Sequence, residues 1–427
     1  MSDPLIIWLL QTGEPLHIDA GNPRPMRAMN LANSLVAAGH KVVLWSSSFY
    51  HQEKRHRVQG SQRINISPSL EIRLISSPGY ISNIGIGRLW DHFQLGRNLA
   101  KELRKETEIP NVAFIGYPPI ETAAVMTRWL SQRQVPCMVD VKDQWPSIFI
   151  DALPVPLKAV GRIVLAPYFY YGRRAMRDAT ALSAMADGFL YWAAGFAGRS
   201  VYDLDRVVPL TMPTDQISPA DLENAGRWWD QQGIKSDGTF RICFVGSHST
   251  AFDIDPVSEA AKSSALVGST HQFIFCGEGE MSRIWRDKMA GLPNVFFPGW
   301  VDRAKIESLA LRSHAALAPY RNTNDFEMSI PNKVIDSMAL GLPVLSPLTG
   351  EVGNLITNFR IGMQYGEANG KTLAQCVTDL ATNSILRNEL INNALTLFKH
   401  KFDYEIVYSG LVKHLEILAQ SRQKQKI

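Results

Sequence analysis

Both halves of this sequence alternate short apolar segments with longer amphipathic ones, the pattern of βα units around parallel sheets. LIIWLLQ at 5–11 predicts a first strand, RPMRAMNLANSLVAAG at 24–39 a helix with one apolar face, and KVVLWSS the next strand. FRICFVG, HQFIFCGEG, NVFFPGW, AALAPY and LPVLSP predict a second series of strands. The sequence therefore predicts an α/β protein with two Rossmann-like domains.

The length and one proline-rich segment suggest where the chain divides. With 427 residues, of which 45% are hydrophobic and 20% charged, the chain is long enough for two or three globular domains. PLTMPTDQISP at 209–219 holds three prolines between the two series of strands and predicts a hinge. We expect one domain at 1–212, a second domain at 213–402, and a C-terminal helix at 403–427.

Charge, cysteine usage and hydropathy exclude several classes of protein. The formal net charge of +4 is small for this size and argues against a dedicated nucleic-acid-binding protein. The four cysteines lie far apart without a C-x-x-C pair, as expected of reduced core thiols. The N-terminal segment lacks the features of a signal peptide, and no apolar run is long enough to span a membrane. We expect a cytoplasmic protein, with attachment to the inner face of the plasma membrane as an option.

Two loops of the first half are candidate ligand sites, because open α/β sheets bind ligands beyond the carboxyl ends of their strands. The loop after the first strand contains Gly21, and Arg27 or Arg24 at the next helix could face an anion. It lacks the G-x-G-x-x-G spacing of a dinucleotide site and is also compatible with an ordinary surface loop. Asp140 ends the strand in MVDVKDQWP, and Asp143 follows it. Either carboxylate suits a sugar hydroxyl or proton transfer, and either also suits a turn cap.

The second half carries the more informative pattern. Gly277 and Gly279 end a strand and open a helix, so that their backbone could approach a nucleotide or its phosphates. SIPNKVIDSMALGLPVLS predicts a helix with Pro331 in its first turn and with Lys333 and Asp336 on one face. A helix N-terminus favours a diphosphate, and a lysine there can stabilise a departing nucleoside diphosphate. A surface Lys–Asp pair is the competing interpretation.

These residues resemble the GT-B glycosyltransferases, and within them the retaining family 4, over nearly the whole chain. The resemblance implies that the two Rossmann-like domains face each other across a cleft, with an acceptor-binding domain at 1–212 and a donor-binding domain at 213–402. It also implies that the C-terminal helix at 403–427 packs back on the first domain. The shared order is FVG (244–246), GEGE (277–280), PGWV (298–301) and P-x-K-x-x-D/E-x-M-A-x-G-x-P-V (331–344). In the first half, R-P-M-R-x-x-x-L-A-x-x-L-x-x-x-G-H-x-V (24–42) and D-V-K-D-Q-W-P (140–146) are similar to enzymes that build bacterial lipopolysaccharide, capsule and O-antigen.

The resemblance implies catalytic roles for Lys333 and Asp143 and an acceptor site that includes Gly21, Arg27 and Asp140. It implies a donor site made of several loops and the helix that begins near Pro331: Gly246, Ser247, His248, Gly277, Glu278, Gly279, Arg321, Ile330, Pro331, Asn332, Lys333 and Asp336. Within that set Lys333 would contact the diphosphate and Asp336 the ribose. Arg321 would replace a missing cation, or is an exposed loop arginine.

The sequence departs from the family pattern in three places. Members commonly carry two glutamates separated by seven residues; here the second position is Asp336, the first is Met328, and Glu327 is one residue off. Ser247 and His248 stand where a basic residue is usual. GYPPIE follows the acceptor-domain strand where a histidine is common.

The resemblance also implies the ligands. The donor would be a UDP- or GDP-sugar, without a tightly bound cofactor or a metal, and the acceptor a glycan or an undecaprenyl-diphosphate-linked sugar. Residues 155–178 are apolar, aromatic and basic together, which suits either peripheral membrane contact or a core helix with a basic end. Two alternative functions remain: a nucleotide-sugar 2-epimerase, or a sugar-nucleotide-binding protein with weakened catalysis.

Overall fold

The computed structural model describes residues 4–21, 23–82, 85–151, 153–212, 217–266 and 271–424. The chain divides into two compact units. The first comprises residues 1–209 together with 407–427, and the second comprises 210–406. Each unit is built on its own largely parallel sheet, which confirms the α/β class.

The first unit alternates strands and helices around one twisted sheet. Its strands are β1 (Ile6–Leu10), β2 (Lys41–Ser47), β3 (Phe49–Tyr50), β4 (Arg55–His56), β5 (Gln62–Ser67), β6 (Leu70–Ile75), β7 (Val112–Tyr117), β8 (Cys137–Val141), β9 (Ala181–Ala184) and β10 (Arg206–Val207). Its helices are α1 (Arg27–Ala37), α2 (Ile86–Lys105), α3 (Ile120–Ser131), α4 (Ser147–Asp151), α5 (Lys158–Val164), α6 (Ala166–Arg177) and α7 (Asp187–Ala197).

The described strands of this sheet follow the order β10-β9-β8-β7-β1-β2-β6-β5. β1 pairs in parallel with β2 on one side and β7 on the other, so the chain reverses direction across the sheet between β1 and β7. Strand β5 at the edge is antiparallel to β6, and β3 pairs with β4 as a separate ribbon. The sequence did not predict these three polar or very short strands, because they lack an apolar run.

The second unit repeats the architecture with a different strand order. Its strands are β11 (Arg241–Val245), β12 (Gln272–Cys276), β13 (Val295–Gly299), β14 (Ala315–Leu317), β15 (Val344–Ser346) and β16 (Gly362–Gln364). Its helices are α8 (Pro219–Gln231), α9 (Asp255–Leu266), α10 (Ser282–Lys288), α11 (Arg303–Ala310), α12 (Asn324–Glu327), α13 (Asn332–Ala339), α14 (Gly350–Phe359), α15 (Gly370–Thr382) and α16 (Ser384–Leu397).

The described strands of the second sheet run β13-β12-β11-β14-β15-β16, and all of them pair in parallel. The chain therefore moves outward from β11 to β13 and then returns to the other side of β11 at β14. In doubly wound sheets this reversal opens a crevice at the carboxyl ends of the two strands, where ligands bind. The fold thus singles out the loops after β11 and β14.

The last helix, α17 (Tyr404–Lys424), is part of the first unit from residue 407 onward. His40 Nε2 lies 2.9 Å from a Glu416 carboxylate oxygen, and His414 Nε2 lies 2.8 Å from the Leu204 carbonyl oxygen. These long-range contacts fasten α17 to the loops of the first unit.

Residues 156–177, expected as one helix, form two. Helix α5 ends at Val164 and α6 starts at Ala166, where Pro167 occupies the first turn. A proline has no N–H to donate to the preceding turn and is favoured at the start of a new helix, which accounts for the break. Within the described residues, no helix has the length and apolar character needed to cross a membrane.

Candidate active site

The crevice of the second sheet is formed by the loops after β11 and β14, which hold each other by backbone hydrogen bonds. The Asp253 N–H donates to the Pro319 carbonyl at 2.8 Å, and the Arg321 N–H donates to the Ala251 carbonyl at 2.9 Å. Phe252 and Tyr320 form an isolated antiparallel bridge between the two loops. Backbone hydrogen bonds therefore hold the two loops in place, independently of the side chains that line the crevice.

Lys333, in the first turn of α13, reaches into this crevice. Its Nζ lies 4.2 Å from the centroid of the Phe244 ring and 5.2 Å from that of Phe252, and it donates to the Val245 carbonyl. Burial lowers the pKa of Lys333 to about 8, against an opposing contribution from Asp336. An ammonium that is poorly hydrated gains from a nearby anion, so this position suits a negatively charged ligand.

Gly246 makes room for that ammonium. It directly follows β11 with a φ of +141°, and a Cβ atom at this position would lie 2.0 Å from Lys333 Nζ. Both the backbone angle and the space exclude a larger residue without rearrangement. The glycine predicted from the FVG pattern therefore has a physical reason: the lysine passes beside its backbone.

The loop after β12 presses against the loop after β11. A Cβ on Gly277 would lie 2.1 Å from the Gly246 oxygen, and one on Gly279 would lie 2.3 Å from the His248 oxygen. The Gly246 N–H donates to Cys276 O at 2.9 Å, and the His248 N–H donates to Glu278 O at 3.2 Å. The glycines thus allow backbone-to-backbone packing beside Lys333.

His248, expected at the donor, lies fully buried beneath the loop. Its ring stacks on Trp285 with centroids 4.3 Å apart, and Nδ1 lies 2.9 Å from Ser282 Oγ. Burial lowers the pKa of His248 to about 4, so the imidazole is neutral at physiological pH. The structure places it as a support for the loop, while the exposed Ser247 lies at the loop itself.

Arg321 and Glu278 lie on the rim. Arg321 Nε donates to the Thr250 carbonyl at 3.2 Å, and its guanidinium lies 3.8 Å from Asp253, beside the loop that follows β11. The exposed Glu278 accepts from Arg286 at 2.5 Å, and this hydrogen bond holds the pKa of Glu278 below its usual value.

Helix α13 begins one residue later than predicted. Pro331 is its N-cap, with extended backbone, rather than a residue of the first turn, and Ile330 before it is buried. Asn332 is exposed, while Lys333 and Asp336 are half-buried one turn apart. The electrostatic effect of Asp336 on the pKa of Lys333 shows that the two side chains are neighbours.

Glu327 is engaged elsewhere. It ends α12, and its Oε1 accepts a hydrogen bond of 2.8 Å from Thr349 Oγ1, at the N-cap of α14. Its main chain packs against Gly350, where a Cβ would lie 2.1 Å from the Glu327 oxygen. The carboxylate therefore has a local role that ties α12 to α14.

In the first unit, Arg27 and Asp140 lie together in the interior. Arg27 Nε is 3.3 Å from Asp140 Oδ2, with both side chains buried. Asp140 also accepts a hydrogen bond of 2.8 Å from Ser183 Oγ, and Arg27 donates a hydrogen bond of 2.7 Å to the Val208 carbonyl. Lys142 extends the group, 3.9 Å from Asp140 and ion-paired with Glu14. These two predicted acceptor residues thus connect α1, β8 and β9 internally.

The other two candidates of the first unit are nearer the surface. Gly21 is exposed, has a φ of +81°, and has open space where a Cβ would be. Asp143 is half-buried, and its Oδ1 accepts a hydrogen bond of 2.8 Å from the N–H of the next residue, Gln144. That local hydrogen bond matches the turn-capping interpretation of Asp143, and the other carboxylate oxygen takes no part in it.

Sequence reasoning missed the aromatic floor of the crevice. Phe244 and Phe252 lie under Lys333, and Trp285 packs against Phe244 at 5.3 Å between centroids. Aromatic residues in a strand ordinarily belong to the core, so no local signal separates these from their neighbours. Among the described residues, no group of three His, Cys, Asp or Glu side chains is arranged to hold a metal ion.

The second unit and the fold as a whole match known proteins. The model of the family Glycosyl transferases group 1 matches residues 239–383. Sucrose-phosphate synthase from Thermosynechococcus elongatus superposes with a TM-score of 0.69 at 13% identity, over 98% of this chain and 100% of that one. WaaG, a glycosyltransferase involved in lipopolysaccharide biosynthesis, gives 0.63 at 15% identity, over 96% and 99%. HepE from Anabaena in complex with UDP gives 0.62 at 13% identity, over 96% and 99%.

No curated protein sequence matches the chain. The structural likenesses show the GT-B fold across nearly the whole chain, and the family match lies on the unit that contains Lys333. The chain therefore has the GT-B fold, and its residues 239–383 match a family of glycosyltransferases.

Proposed function

We propose that this protein transfers a sugar from a UDP- or GDP-sugar bound in the crevice of the second unit. The observation that carries the proposal is Lys333, whose desolvated ammonium lies beside Gly246 at the carboxyl end of β11. The crevice at a strand-order reversal is where doubly wound folds bind nucleotides. HepE, which shares the fold, was crystallised with UDP.

In this proposal Lys333 neutralises the charge that develops on the diphosphate as the glycosidic bond breaks. Such stabilisation is stronger in a water-poor site than in solution, and the phenyl rings of Phe244 and Phe252 keep water from the ammonium. The amides beside Gly246 and Gly277 would approach the phosphates, and Asp336 would accept from the ribose hydroxyls. The reaction would proceed with retention and without a metal ion.

The first unit is proposed to hold the acceptor, a glycan or a lipid-linked sugar of bacterial surface polysaccharide synthesis. Its loops after β1 and β7 lie at the reversal of its own sheet: a Cβ on Gly116, within β7, would lie 1.8 Å from Gln11 Oε1, so the start of the loop after β1 lies beside the end of β7. WaaG, of the same fold, acts in lipopolysaccharide biosynthesis. Family 4 membership is part of this proposal.

We propose that the protein works in the cytoplasm at the inner face of the plasma membrane, which it contacts through helix α5. This helix buries none of its residues, and Val160, Ile163 and Val164 are 56%, 76% and 68% exposed. A cavity of about 880 Å³ beside it is lined by Arg162, Arg173, Arg174 and Arg177. Apolar side chains flanked by arginines suit a bilayer that contains anionic lipids.

A weakened sugar-nucleotide-binding protein is the second candidate, because Glu327 is bonded to Thr349 and Met328 occupies the position of the family's first glutamate. Incubation with a panel of UDP- and GDP-sugars, with and without glycan acceptors, separates the candidates. Nucleotide release that requires an acceptor supports transfer, and interconversion of the donor sugar indicates a 2-epimerase. Binding without turnover indicates the second candidate and contradicts the proposed transfer.

A further inference from the structure

Five side chains from separate parts of the first unit meet beyond the carboxyl ends of its strands. His51 lies between β3 and β4, Tyr80 follows β6, Arg88 and His92 lie in the first two turns of α2, and Trp145 follows β8. We call these residues the aromatic-basic cluster. The edge of the sheet on which they lie is the one where α/β folds bind ligands, and none of them belongs to the sites predicted from the sequence.

Aromatic rings form the walls of the cluster. The His92 ring lies edge-on to Tyr80, 6.3 Å between centroids, and 5.6 Å from Trp145. The Arg88 guanidinium carbon lies 4.9 Å from the Trp145 centroid and 5.8 Å from that of Tyr80. Arg88 therefore spans both rings, while His92 and Trp145, 5% and 6% exposed, form the floor.

A second cation lies at the rim. Lys54 Nζ is 4.6 Å from the Tyr80 centroid and 3.1 Å from His51 Nδ1, and Lys54 holds a φ of +54°. A left-handed backbone is uncommon for a lysine and costs free energy. The His51 ring in turn contacts the Tyr80 hydroxyl. The loop thus holds Lys54 and His51 against Tyr80.

The cluster carries more positive than negative charge. Burial lowers the pKa of His51 to about 4, with Lys54 and Arg88 contributing further, and lowers that of His92 to about 3, with Arg88 contributing. Burial and Arg88 also lower the pKa of Lys54. The nearby Asp91 carboxylate already accepts from Ser77 Oγ and from the Gly79 N–H, at 2.7 Å for the latter. Two cations that disfavour each other's charge are stabilised when an anion joins them.

His92 supplies an independent indication of a ligand. Its Nδ1 atom is buried and has no hydrogen-bond partner among the described residues. Buried polar atoms in native proteins are nearly always partnered, so such an atom calls for an explanation. A ligand oxygen between Tyr80 and Trp145 would satisfy it, since a neutral imidazole can donate from Nδ1.

We propose that the aromatic-basic cluster binds a phosphate group carried by the acceptor substrate. Arg88 and Lys54 donate to the phosphate oxygens, His92 Nδ1–H donates from the floor, and the Trp145 and Tyr80 rings pack on the sugar. The proposal rests on the proposed function, in which the first unit holds the acceptor. A soluble sugar phosphate and a polyprenyl-phosphate-linked sugar offer the same group.

Calorimetric titration with inorganic pyrophosphate tests the site without knowledge of the acceptor. Wild type should show two classes of sites, one weakened in Lys333→Ala and the other weakened in Arg88→Gln. Charged hydrogen bonds to phosphate predict a weakening of about 10- to 100-fold in Arg88→Gln. Arg97→Gln is the matched control, because Arg97 lies on the same helix, is exposed, and is outside the cluster.

The outcomes separate this proposal from the donor assignment. If wild type shows a single class of pyrophosphate sites and Arg88→Gln leaves its affinity unchanged, the cluster is not an anion site. This conclusion holds whatever the effect of Lys333→Ala. Two classes that both persist in Lys333→Ala overturn the donor site alone. Lys54→Gln, at the rim, should weaken pyrophosphate binding at the same class of sites as Arg88→Gln. It replaces Arg88→Gln in the test if circular dichroism shows that Arg88→Gln does not fold.

A second set of titrations identifies the source of the phosphate. Hexose 6-phosphate, polyprenyl phosphate in detergent micelles, and unphosphorylated hexose are compared in wild type and Arg88→Gln, each with UDP present to fill the donor site. Arg88-dependent binding of either phosphate, without binding of the neutral hexose, supports the proposal and names the source. Equal affinity for hexose and hexose 6-phosphate, with no binding of polyprenyl phosphate, would rule it out.

Discussion

Lys333 carries its charge over two phenyl rings and close to Gly246, where a Cβ would lie 2.0 Å from Nζ. If the ammonium stabilises the leaving diphosphate, Lys333→Ala should lower kcat about 100- to 1,000-fold, the usual effect of removing one charge-stabilising donor. Lys371→Ala, in an exposed part of α15, is the control with the same loss of charge. Near-normal turnover in a correctly folded Lys333→Ala protein would contradict the assignment.

The pKa of Lys333 predicts a pH dependence for binding. Because burial lowers it to about 8, the ammonium of the free protein loses its proton as the pH rises through that value. The affinity for UDP, measured by calorimetry from pH 7 to pH 10, should therefore fall above about pH 8 in wild type. Lys333→Met should bind weakly with little change over the same range, and parallel profiles for the two proteins would be inconsistent with this role.

The lowered pKa of Lys333 also makes the free energy of unfolding depend on pH, in the direction opposite to the affinity for UDP. The folded-state pKa of Lys333 lies below the value of 10.5 for an unfolded lysine, so between about pH 8 and pH 10.5 the unfolded chain binds more protons. The free energy of unfolding of wild type should thus rise with pH in that window relative to Lys333→Met. Urea denaturation of both proteins at several pH values measures the difference, and a constant difference would argue against a desolvated lysine.

Gly246 offers a test of space rather than charge. A Cβ there would lie 2.0 Å from Lys333 Nζ, so Gly246→Ala must displace the ammonium and should weaken UDP binding at least about tenfold, or 1.4 kcal/mol. Gly238 also has a positive φ but has no atom within 4 Å of its Cβ position. Gly238→Ala places a Cβ at a positive φ away from Lys333 and should keep the affinity; an equal loss of affinity in the two variants would contradict a local effect on the ammonium.

At the scale of elements, the buried pair of Arg27 and Asp140 joins helix α1 to the sheet. Removing one member of a buried ion pair leaves an uncompensated charge and costs about 3 to 5 kcal/mol of unfolding free energy. Asp140→Asn should show this loss in urea denaturation, whereas Asp178→Asn, in the partly exposed pair with Arg174, should cost at most about 1 kcal/mol. A normal stability for Asp140→Asn would favour a direct role at the acceptor over the internal one.

Helix α5 leaves apolar side chains at the surface of its unit. Ile163→Glu places a charge on its exposed apolar face and should reduce co-flotation with phosphatidylglycerol-containing vesicles about tenfold or more. Leu266→Glu, 86% exposed in the second unit, is the matched control and should float like wild type. Flotation unaffected by Ile163→Glu, or equally strong on pure phosphatidylcholine, would refute the membrane contact.

The sequence predicted most elements because their apolar periodicity is strong, as in β1, α1, β11 and β12. Elements without an apolar run, such as β5, gave no such signal. The site was predicted in part. Gly246, Gly277 and Lys333 stand out because core packing rarely selects a glycine or a lysine where a strand gives way to a helix. Phe244 and Trp285 support Lys333, and His248 and Asp140 are buried. These features depend on packing between distant segments, which no local sequence pattern records.

For the whole molecule, we propose that the second unit binds the donor and the first unit binds the acceptor. In each sheet the chain returns to the other side of the first strand, at β7 in the first sheet and at β14 in the second, and Arg27 and Gly246 follow these first strands. The two sheets share this arrangement although their strand orders and their numbers of strands differ. The same fold recurs in sucrose-phosphate synthase and WaaG, at 13% and 15% identity, so the architecture tolerates nearly complete replacement of the sequence.

A crystal structure of the protein with UDP tests the central assignment most directly. We expect density for the diphosphate in the crevice after β11, with its oxygens about 2.7 to 3.2 Å from Lys333 Nζ and from an amide beside Gly246. We also expect a ribose within reach of Asp336. Nucleotide bound on the sheet of the first unit, or bound in the second unit without contact to Lys333, would contradict the assignment.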